Sequence, residues 1–168
     1  MPNIYLIGMM GSGKSVTGKR LAVKLGYGFV DLDERVQDKT KRSIADIFEK
    51  DGENFFRDLE SQILKEASLA DLKVVATGGG VVLRRANIDL MKATGKIFFL
   101  ETSVEVLWER VKDKKDRPLL RDGKHQERLL EIDAYRKPLY QGASDSKVNT
   151  DGKTAGAVAD EIWEILKS

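Results

Sequence analysis

The residues best suited to chemistry lie near the start of the chain, in a glycine-rich segment that ends in Lys14 and Ser15. Residues 8–15 read GMMGSGKS, which matches the G-x-x-x-x-G-K-[ST] spacing of a phosphate-binding loop. Backbone N–H groups and the positive end of the following helix can hold a polyphosphate there. Lys14 can reach the β- and γ-phosphates, and the Ser15 hydroxyl can bind Mg²⁺. We expect a nucleoside triphosphate to bind at Gly11, Ser12, Gly13, Lys14, Ser15 and Val16.

Two aspartates form a second candidate group. Asp31 and Asp33 lie two positions apart in FVDLD, residues 29–33, and in an extended strand their carboxylates would point the same way. One carboxylate could hold Mg²⁺, and the other could accept the proton of an attacking hydroxyl. The alternative is that Asp33 simply begins the next helix. Because the later apolar strands end in Ala76 and Leu100, Asp31 is the best remaining candidate for a metal ligand.

Arginines at three separate places in the chain form a third candidate group. Arg57 and Glu60 in FFRDLE lie three apart on one predicted helix face, where Glu60 can hold the guanidinium in position. Arg117 and Arg136 follow much later. A guanidinium group suits planar recognition of a carboxylate and stabilisation of charge on a transferred phosphoryl group. Taken singly, each arginine is more typical of a solvated surface, and the residues alone do not bring the three together.

The segment VVATGGG, residues 74–80, ends a predicted buried strand with three consecutive glycines, Gly78, Gly79 and Gly80. Glycine weakens an element interior, so such a cluster indicates that the backbone must approach another group closely. The alternative is a plain turn from strand to helix, which needs only one glycine or two.

Short apolar runs alternate with helical patterns along the chain, which predicts βαβ units and a parallel sheet with helices on both faces. The predicted strands are 4–7, 29–33, 74–76, 97–100 and 146–149. The predicted helices are 14–25, 43–50, 53–67, 86–94, 104–112, 129–140 and a last amphipathic helix near 158–166. We expect N-caps at Ser43 and at Thr102, the latter in a capping box with Glu105. Phe48, Phe55 and Phe56 are assigned to the core.

Composition restricts the class of protein. The 168 residues are 41% apolar and 33% charged, as is typical of one soluble globular domain, which we place over 1–168. The net charge of +2 gives no field that favours nucleic acid or an anionic membrane. The chain has no cysteine and a single histidine, His125, so thiolate and multi-histidine metal sites are excluded. We expect no leader before the first strand, and we expect a cytoplasmic protein.

The order and spacing of five motifs resemble those of the shikimate kinase family. The motifs are GMMGSGKS, FVDLDE, FFRDLE, VVATGGG and RPLL. The resemblance extends from Gly8 to about Asn149. It implies a P-loop kinase fold in which a five-stranded parallel sheet is flanked by helices. It also implies a substrate-binding helical region at about 33–61 and a mobile lid at about 112–126. The implied reaction uses ATP and Mg²⁺ to phosphorylate the 3-hydroxyl of shikimate, in aromatic amino-acid biosynthesis, by a protein that we expect to be a monomer.

The resemblance also implies roles for single residues on the acceptor side. Asp33 matches the aspartate that contacts the shikimate hydroxyls and is the candidate base. Arg57 and Arg136 match the pair that binds the shikimate carboxylate, with Glu60 orienting Arg57. The glycines Gly78, Gly79 and Gly80 match the turn that lines the acceptor site.

On the nucleotide side, the resemblance gives Lys14 and Ser15 their phosphate and Mg²⁺ roles, with Asp31 as the metal-site carboxylate. Arg117 matches the lid arginine that closes over the transferred phosphate, and Arg110 resembles the arginine that stacks on adenine. One departure concerns the adenine loop, where family members often carry an aspartate and a proline. Here KVNTDGKTAG has Asn149 and Thr150 and no proline, which weakens the assignment of adenine contacts.

Two other functions remain open from the sequence. A small P-loop kinase could act on another acceptor, such as gluconate or a nucleoside monophosphate. The glycine triplet and the arginine pair favour shikimate over these. A catalytically silent ATP-binding module is the second alternative. The joint presence of Asp33, Arg57, Arg117 and Arg136 argues against it.

Overall fold

In a computed structural model that describes residues 2–113 and 125–168, the described residues form a five-stranded parallel sheet. Its strands are β1 (Asn3–Ile7), β2 (Gly28–Asp31), β3 (Lys73–Ala76), β4 (Gly95–Glu101) and β5 (Ser146–Asn149). Their spatial order is β2-β3-β1-β4-β5, and every neighbouring pair is parallel. The predicted five-stranded parallel sheet is therefore confirmed, and the strand predicted at 146–149 lies at its edge, beside β4.

The connections between strands are mainly helical. The helices are α1 (Lys14–Leu25), α2 (Leu32–Thr40), α3 (Ile44–Asp51), α4 (Glu53–Ser68), α5 (Arg85–Thr94), α6 (Val104–Val111), α7 (His125–Ala143) and α8 (Ala155–Lys167), with a 3-10 turn at Val81–Leu83. The predicted cap of α3 is confirmed, since the Ser43 side chain accepts a hydrogen bond from the Asp46 N–H. Within the described ranges, no helix has both the length and the apolar character needed to cross a membrane.

The sheet separates two apolar cores. Because side chains alternate along a strand, Ile4 and Leu6 of β1 face a core shared with α1 and α8. Tyr5 and Ile7 face the other core, shared with α4, α5, α6 and α7. Each of these four side chains is at most 2% exposed, and burying an isoleucine or leucine side chain contributes roughly 1.5–3 kcal/mol. Helices on both faces therefore hold the strand ends in fixed positions.

The prediction that residues 29–33 form a strand is wrong at its second half. Strand β2 ends at Asp31, and α2 begins at the next residue, within the region at about 33–61 that the resemblance implied to be helical. The Asp31 carboxylate accepts hydrogen bonds from the N–H groups of Asp33 (3.0 Å) and Glu34 (3.2 Å), so Asp31 is the N-cap of α2. Asp31 and Asp33 thus do not share a strand face. Asp33 lies in the first turn of α2, as the alternative placed it, and it also lines the cleft described below.

The predicted N-cap at Thr102 is also wrong, by one residue. Ser103 caps α6, and its side chain accepts a hydrogen bond from the N–H of Val106. The Thr102 hydroxyl is instead hydrogen-bonded to the Thr150 hydroxyl at 2.5 Å, which joins the start of α6 to the segment after β5. This tertiary contact is not visible in the local sequence.

The start of α7 lies earlier than predicted. Its first residues, His125 and Gln126, were assigned to the lid at 112–126, and the helix extends beyond the predicted 129–140 at both ends. Residues 114–124, which make up most of the predicted lid, lie outside the described residues.

Candidate functional site

A cleft of about 270 Å³ lies beyond the C-terminal ends of β1, β2 and β3, where open α/β sheets bind their ligands. This volume is just below the range for small-molecule pockets, roughly 300–1,000 Å³. Most of the predicted site residues contribute to its lining. They are Ser15, Asp31, Asp33, Arg57, Glu60, Gly78, Gly79, Gly80 and Arg136.

The glycine-rich loop between β1 and α1 has the conformation expected of a phosphate-binding loop. Gly11 and Gly13 have φ angles of 83° and 91°, a left-handed region that favours glycine. Gly13 precedes α1 without a side-chain cap, which leaves the first N–H groups of the helix for an anion. The Lys14 Nζ donates to the carbonyl oxygens of Gly8 (2.7 Å) and Met9 (2.9 Å), so the ammonium group lies along the loop itself.

Ser15 and Asp31 meet at the edge of the cleft next to this loop. The Ser15 Oγ donates a hydrogen bond to Asp31 Oδ2, while Asp31 Oδ1 accepts the capping bonds of α2. No group of three or more histidine, cysteine, aspartate or glutamate side chains suited to a metal occurs among the described residues. One hydroxyl and one carboxylate fit Mg²⁺, which usually takes one or two carboxylates together with substrate phosphates and water.

Arg57 is held from several sides at the wall of the cleft. Its Nε and Nη2 donate to Glu53 Oε2 (both 3.2 Å), and its Nη1 donates to Glu60 Oε1 (3.0 Å). The rings of Phe48 and Phe56 lie 5.9 and 5.2 Å from its guanidinium carbon. The predicted contact with Glu60 is therefore confirmed. Glu53 was missed, although its i, i+4 spacing to Arg57 could have indicated it. Phe48 and Phe56 pack in or against the core, as predicted, and also line the cleft. The assignment of Phe55 to the core is wrong, since Phe55 is 44% exposed.

Glu60 carries a buried carboxyl group whose pKa is raised. It is 1% exposed, and burial raises its pKa above the ordinary value of 4.5, with Arg57 opposing the rise and Asp33 adding to it. Its Oε2 is buried without a hydrogen-bond partner in the described part of the chain. The folded protein therefore retains a proton on Glu60 over a pH interval in which the unfolded chain has lost it.

This proton makes stability depend on pH. Because the folded-state pKa is the higher one, the free energy of unfolding should fall as the pH rises from about 4.5 through that folded-state pKa, by up to about 1.4 kcal/mol per pH unit. Glu60→Gln should remove this fall, since glutamine does not titrate. Urea denaturation at several pH values checks this, with exposed Glu164→Gln as the control. Equal pH slopes for wild type and Glu60→Gln would contradict it.

The three glycines allow charged side chains to approach the backbone. A Cβ on Gly78 would overlap Glu60 Oε2 and lie 3.1 Å from Asp33 Oδ1. A Cβ on Gly80 would overlap the guanidinium group of Arg57. A plain turn from strand to helix would not need glycine to make room for neighbouring side chains. The cluster therefore exists because acidic and basic groups of the cleft pack directly against this turn.

Arg57 and Arg136 reach the same glycine turn from two different helices. Arg57 lies against Gly80, and the Arg136 Nη1 would lie 3.4 Å from a Cβ on Gly79. Consecutive Cα atoms are about 3.8 Å apart, so the two guanidinium groups lie at one side of the cleft, 6% and 5% exposed. Two arginines held in this way can bind a planar anion such as a carboxylate.

The other predicted nucleotide contacts lie outside the cleft lining. Val16 in α1 is 56% exposed, and Ser12 is a buried residue of the loop whose Oγ has no hydrogen-bond partner in the described ranges. Arg110 donates from Nη1 to the carbonyl oxygen of Gly11 (2.9 Å), which places its guanidinium group beside the loop. Arg117 lies outside the described residues.

Comparison with known proteins agrees with this geometry. The family model for shikimate kinase matches residues 10–167. A shikimate kinase from Thermodesulfovibrio yellowstonii is 45% identical, over 96% of this chain and 93% of its own length. A shikimate kinase from Gloeobacter violaceus is 46% identical, over 98% and 92%. The structure of shikimate kinase from Acinetobacter baumannii in complex with shikimate has a TM-score of 0.97 and 36% identity, over 99% of this chain and 93% of that one.

Proposed function

The chain belongs to the shikimate kinase family, and on that premise we propose that it transfers the γ-phosphoryl group of ATP to the 3-hydroxyl of shikimate. The products are ADP and shikimate 3-phosphate. The observation that carries the proposal is that one and the same cleft contains part of the phosphate-binding loop, an arginine pair and an aspartate. A kinase for an uncharged acceptor has no need of two buried arginines at its acceptor wall.

The acceptor is bound by its carboxylate. Arg57 and Arg136 are both buried at the glycine turn, and Arg57 is held there by hydrogen bonds to Glu53 and Glu60. A bidentate bond from guanidinium to carboxylate fixes direction as well as position. The far end of a small ring acid is thereby directed towards the phosphate-binding loop.

Asp33 is the residue that we assign to the reacting hydroxyl. It lies in the first turn of α2 and lines the cleft, with its Oδ1 near Gly78. A carboxylate in this position can accept the proton as the hydroxyl oxygen attacks the γ-phosphorus and the bond to ADP breaks. Asp33 would both orient the acceptor hydroxyls and take the proton.

The nucleotide side is built from the loop and its neighbours. The loop N–H groups and Lys14 would hold the phosphates, and Ser15 and Asp31 would hold Mg²⁺. When bound, Mg²⁺ offsets negative charge on the β- and γ-phosphate oxygens. Arg117, from the predicted lid, would stabilise charge on the transferred group, and Arg110 would contact adenine. The monomeric state and the cytoplasmic location stay predictions.

ADP release by the purified protein tests the acceptor directly. ATP and Mg²⁺ are supplied with shikimate, gluconate or a nucleoside monophosphate in separate reactions. We expect release only with shikimate. Release only with gluconate would support the assigned role of the phosphate-binding loop, but it would overturn the assignment of shikimate as the acceptor. Release without any acceptor would indicate an ATPase.

Arg136→Ala tests the carboxylate site. It should raise the KM for shikimate by at least tenfold, since a buried charge-assisted bond contributes about 1.5–3 kcal/mol. The KM for ATP should change by less than about twofold. Steady-state kinetics with each substrate varied in turn gives both values, and Arg85→Ala, a surface arginine paired with Asp89, is the control. Equal increases in the KM for shikimate and the KM for ATP would contradict the assignment of Arg136 to the carboxylate site.

A further inference from the structure

Tyr140 contacts the acceptor wall without lining the cleft. It is fully buried in α7, and its ring stacks on Phe99 with centroids 5.1 Å apart. Its hydroxyl donates a hydrogen bond of 2.5 Å to the carbonyl oxygen of Gly79. Burial raises the pKa of this phenol to about 12, so the hydroxyl keeps its proton and remains a donor at any physiological pH.

The bond to Gly79 fixes more than one atom of the turn. The carbonyl of Gly79 and the N–H of Gly80 belong to one planar peptide group, and in a trans peptide they point in opposite directions. Holding the Gly79 oxygen therefore sets the direction of the Gly80 N–H. Both residues line the cleft, and a glycine pair has no side chain to resist rotation of that peptide.

Tyr140 also lies beside Arg136, one helical turn away in α7. The Arg136 guanidinium is close enough to the phenol to oppose part of the rise in its pKa. The same guanidinium lies next to Gly79. One hydroxyl is thus in contact with the glycine peptide and close to one arginine of the carboxylate site.

We propose that Tyr140 is a positioning residue of the acceptor site, whose hydroxyl aligns the Gly79–Gly80 peptide and Arg136 for a carboxylate-bearing acceptor. This inference rests on the proposed function. Tyr140 does not contact the acceptor or the nucleotide, and it acts through the two groups that do. It therefore affects binding of the acid and leaves the phosphate-binding loop unchanged.

Tyr140→Phe tests the role of the hydroxyl, because phenylalanine keeps the ring against Phe99. We expect the KM for shikimate to rise roughly tenfold, as for loss of one buried hydrogen bond, with the KM for ATP within about twofold of wild type. The matched control is Tyr5→Phe. Tyr5 is equally buried in the same core, and its hydroxyl is 2.7 Å from that of Thr94, at the opposite end of the sheet. A merely structural role would lower Tm in both variants without separating the two KM values.

A conservative variant at position 140 completes the test. Replacing Tyr140 with 4-aminophenylalanine restores a donor at the same place and should return the KM for shikimate to near the wild-type value. If Tyr140→Phe does not fold, the variant with 4-aminophenylalanine is the test. A raised KM for shikimate in that variant would overturn the inference. An unchanged KM for shikimate in folded Tyr140→Phe would also overturn it. Absence of shikimate turnover in the wild type, run alongside, would instead overturn the proposed function.

Discussion

Lys14→Ala should lower kcat by about 10³-fold or more, at or beyond the upper end of the loss seen when one preorganised donor to a developing charge is removed. Lys14 follows a loop whose backbone bends around the position for a polyphosphate, and its ammonium group is already directed along that loop. It is the cationic side chain of this loop. Single-turnover and steady-state ADP release give the size of the effect.

Two further variants distinguish the electrostatic role of Lys14 in catalysis from a role in stabilising the loop conformation. Lys14→Met keeps an apolar stem in place and should be as inactive as Lys14→Ala, with a Tm close to that of wild type. Lys19→Ala, on the exposed side of the same helix, should retain full activity. If Lys14→Ala turned over at a near-normal rate, the phosphate-binding mechanism would be wrong.

Asp33→Asn should lower kcat by at least about 10²-fold, the lower end for general acid–base catalysis. Asparagine has nearly the same shape, so it can still contact the acceptor hydroxyls, but it does not accept their proton. The KM for shikimate should change much less than kcat. The measurement is steady-state kinetics with shikimate varied at saturating ATP.

The control for this variant is Asp38→Asn, which makes the same change on the exposed face of α2 and should leave kcat unchanged. A loss of only a fewfold in Asp33→Asn, together with a higher KM for shikimate, would restrict Asp33 to binding. The base would then have to be another group or the phosphate itself.

Local signals in the sequence were sufficient for most of the fold. The loop GMMGSGKS lies between a fully buried strand and a helix that ends at a left-handed glycine, Gly26, and each of these features was predictable. The second strand was predicted two residues too long, because Leu32 and Asp33 belong to α2 and not to the strand. The Asp31 side chain accepts two helix N–H groups, and an aspartate followed by Asp33 and Glu34 is itself a helix-start pattern.

The acceptor site was harder to predict because it depends on contacts over long sequence separations. Arg57 and Glu60 could be paired from their spacing on one helix, as the structure confirms. Arg136 and the glycine turn are more than fifty residues apart, and only the family resemblance brought them together. Tyr140 carried no local signal, because a tyrosine on the apolar face of a helix is typical of core packing.

The glycine triplet predicted that another group approaches the backbone closely, but it did not identify that group. The sequence correctly indicated that backbone approaches another group closely at Gly78, Gly79 and Gly80. It did not show that the approaching groups within the protein are the side chains of Glu60 and Arg57. Such contacts depend on the relative placement of α4 and β3, which tertiary packing decides.

Phosphorus-31 NMR of the complete reaction gives the most direct test of phosphoryl transfer to shikimate. The protein is incubated with ATP, Mg²⁺ and shikimate, and the products are followed without any coupling enzyme. We expect ADP and one phosphomonoester whose phosphorus couples to the proton on carbon 3 of shikimate. Inorganic phosphate in place of the ester, or an ester at another hydroxyl, would contradict the assignment of the acceptor site.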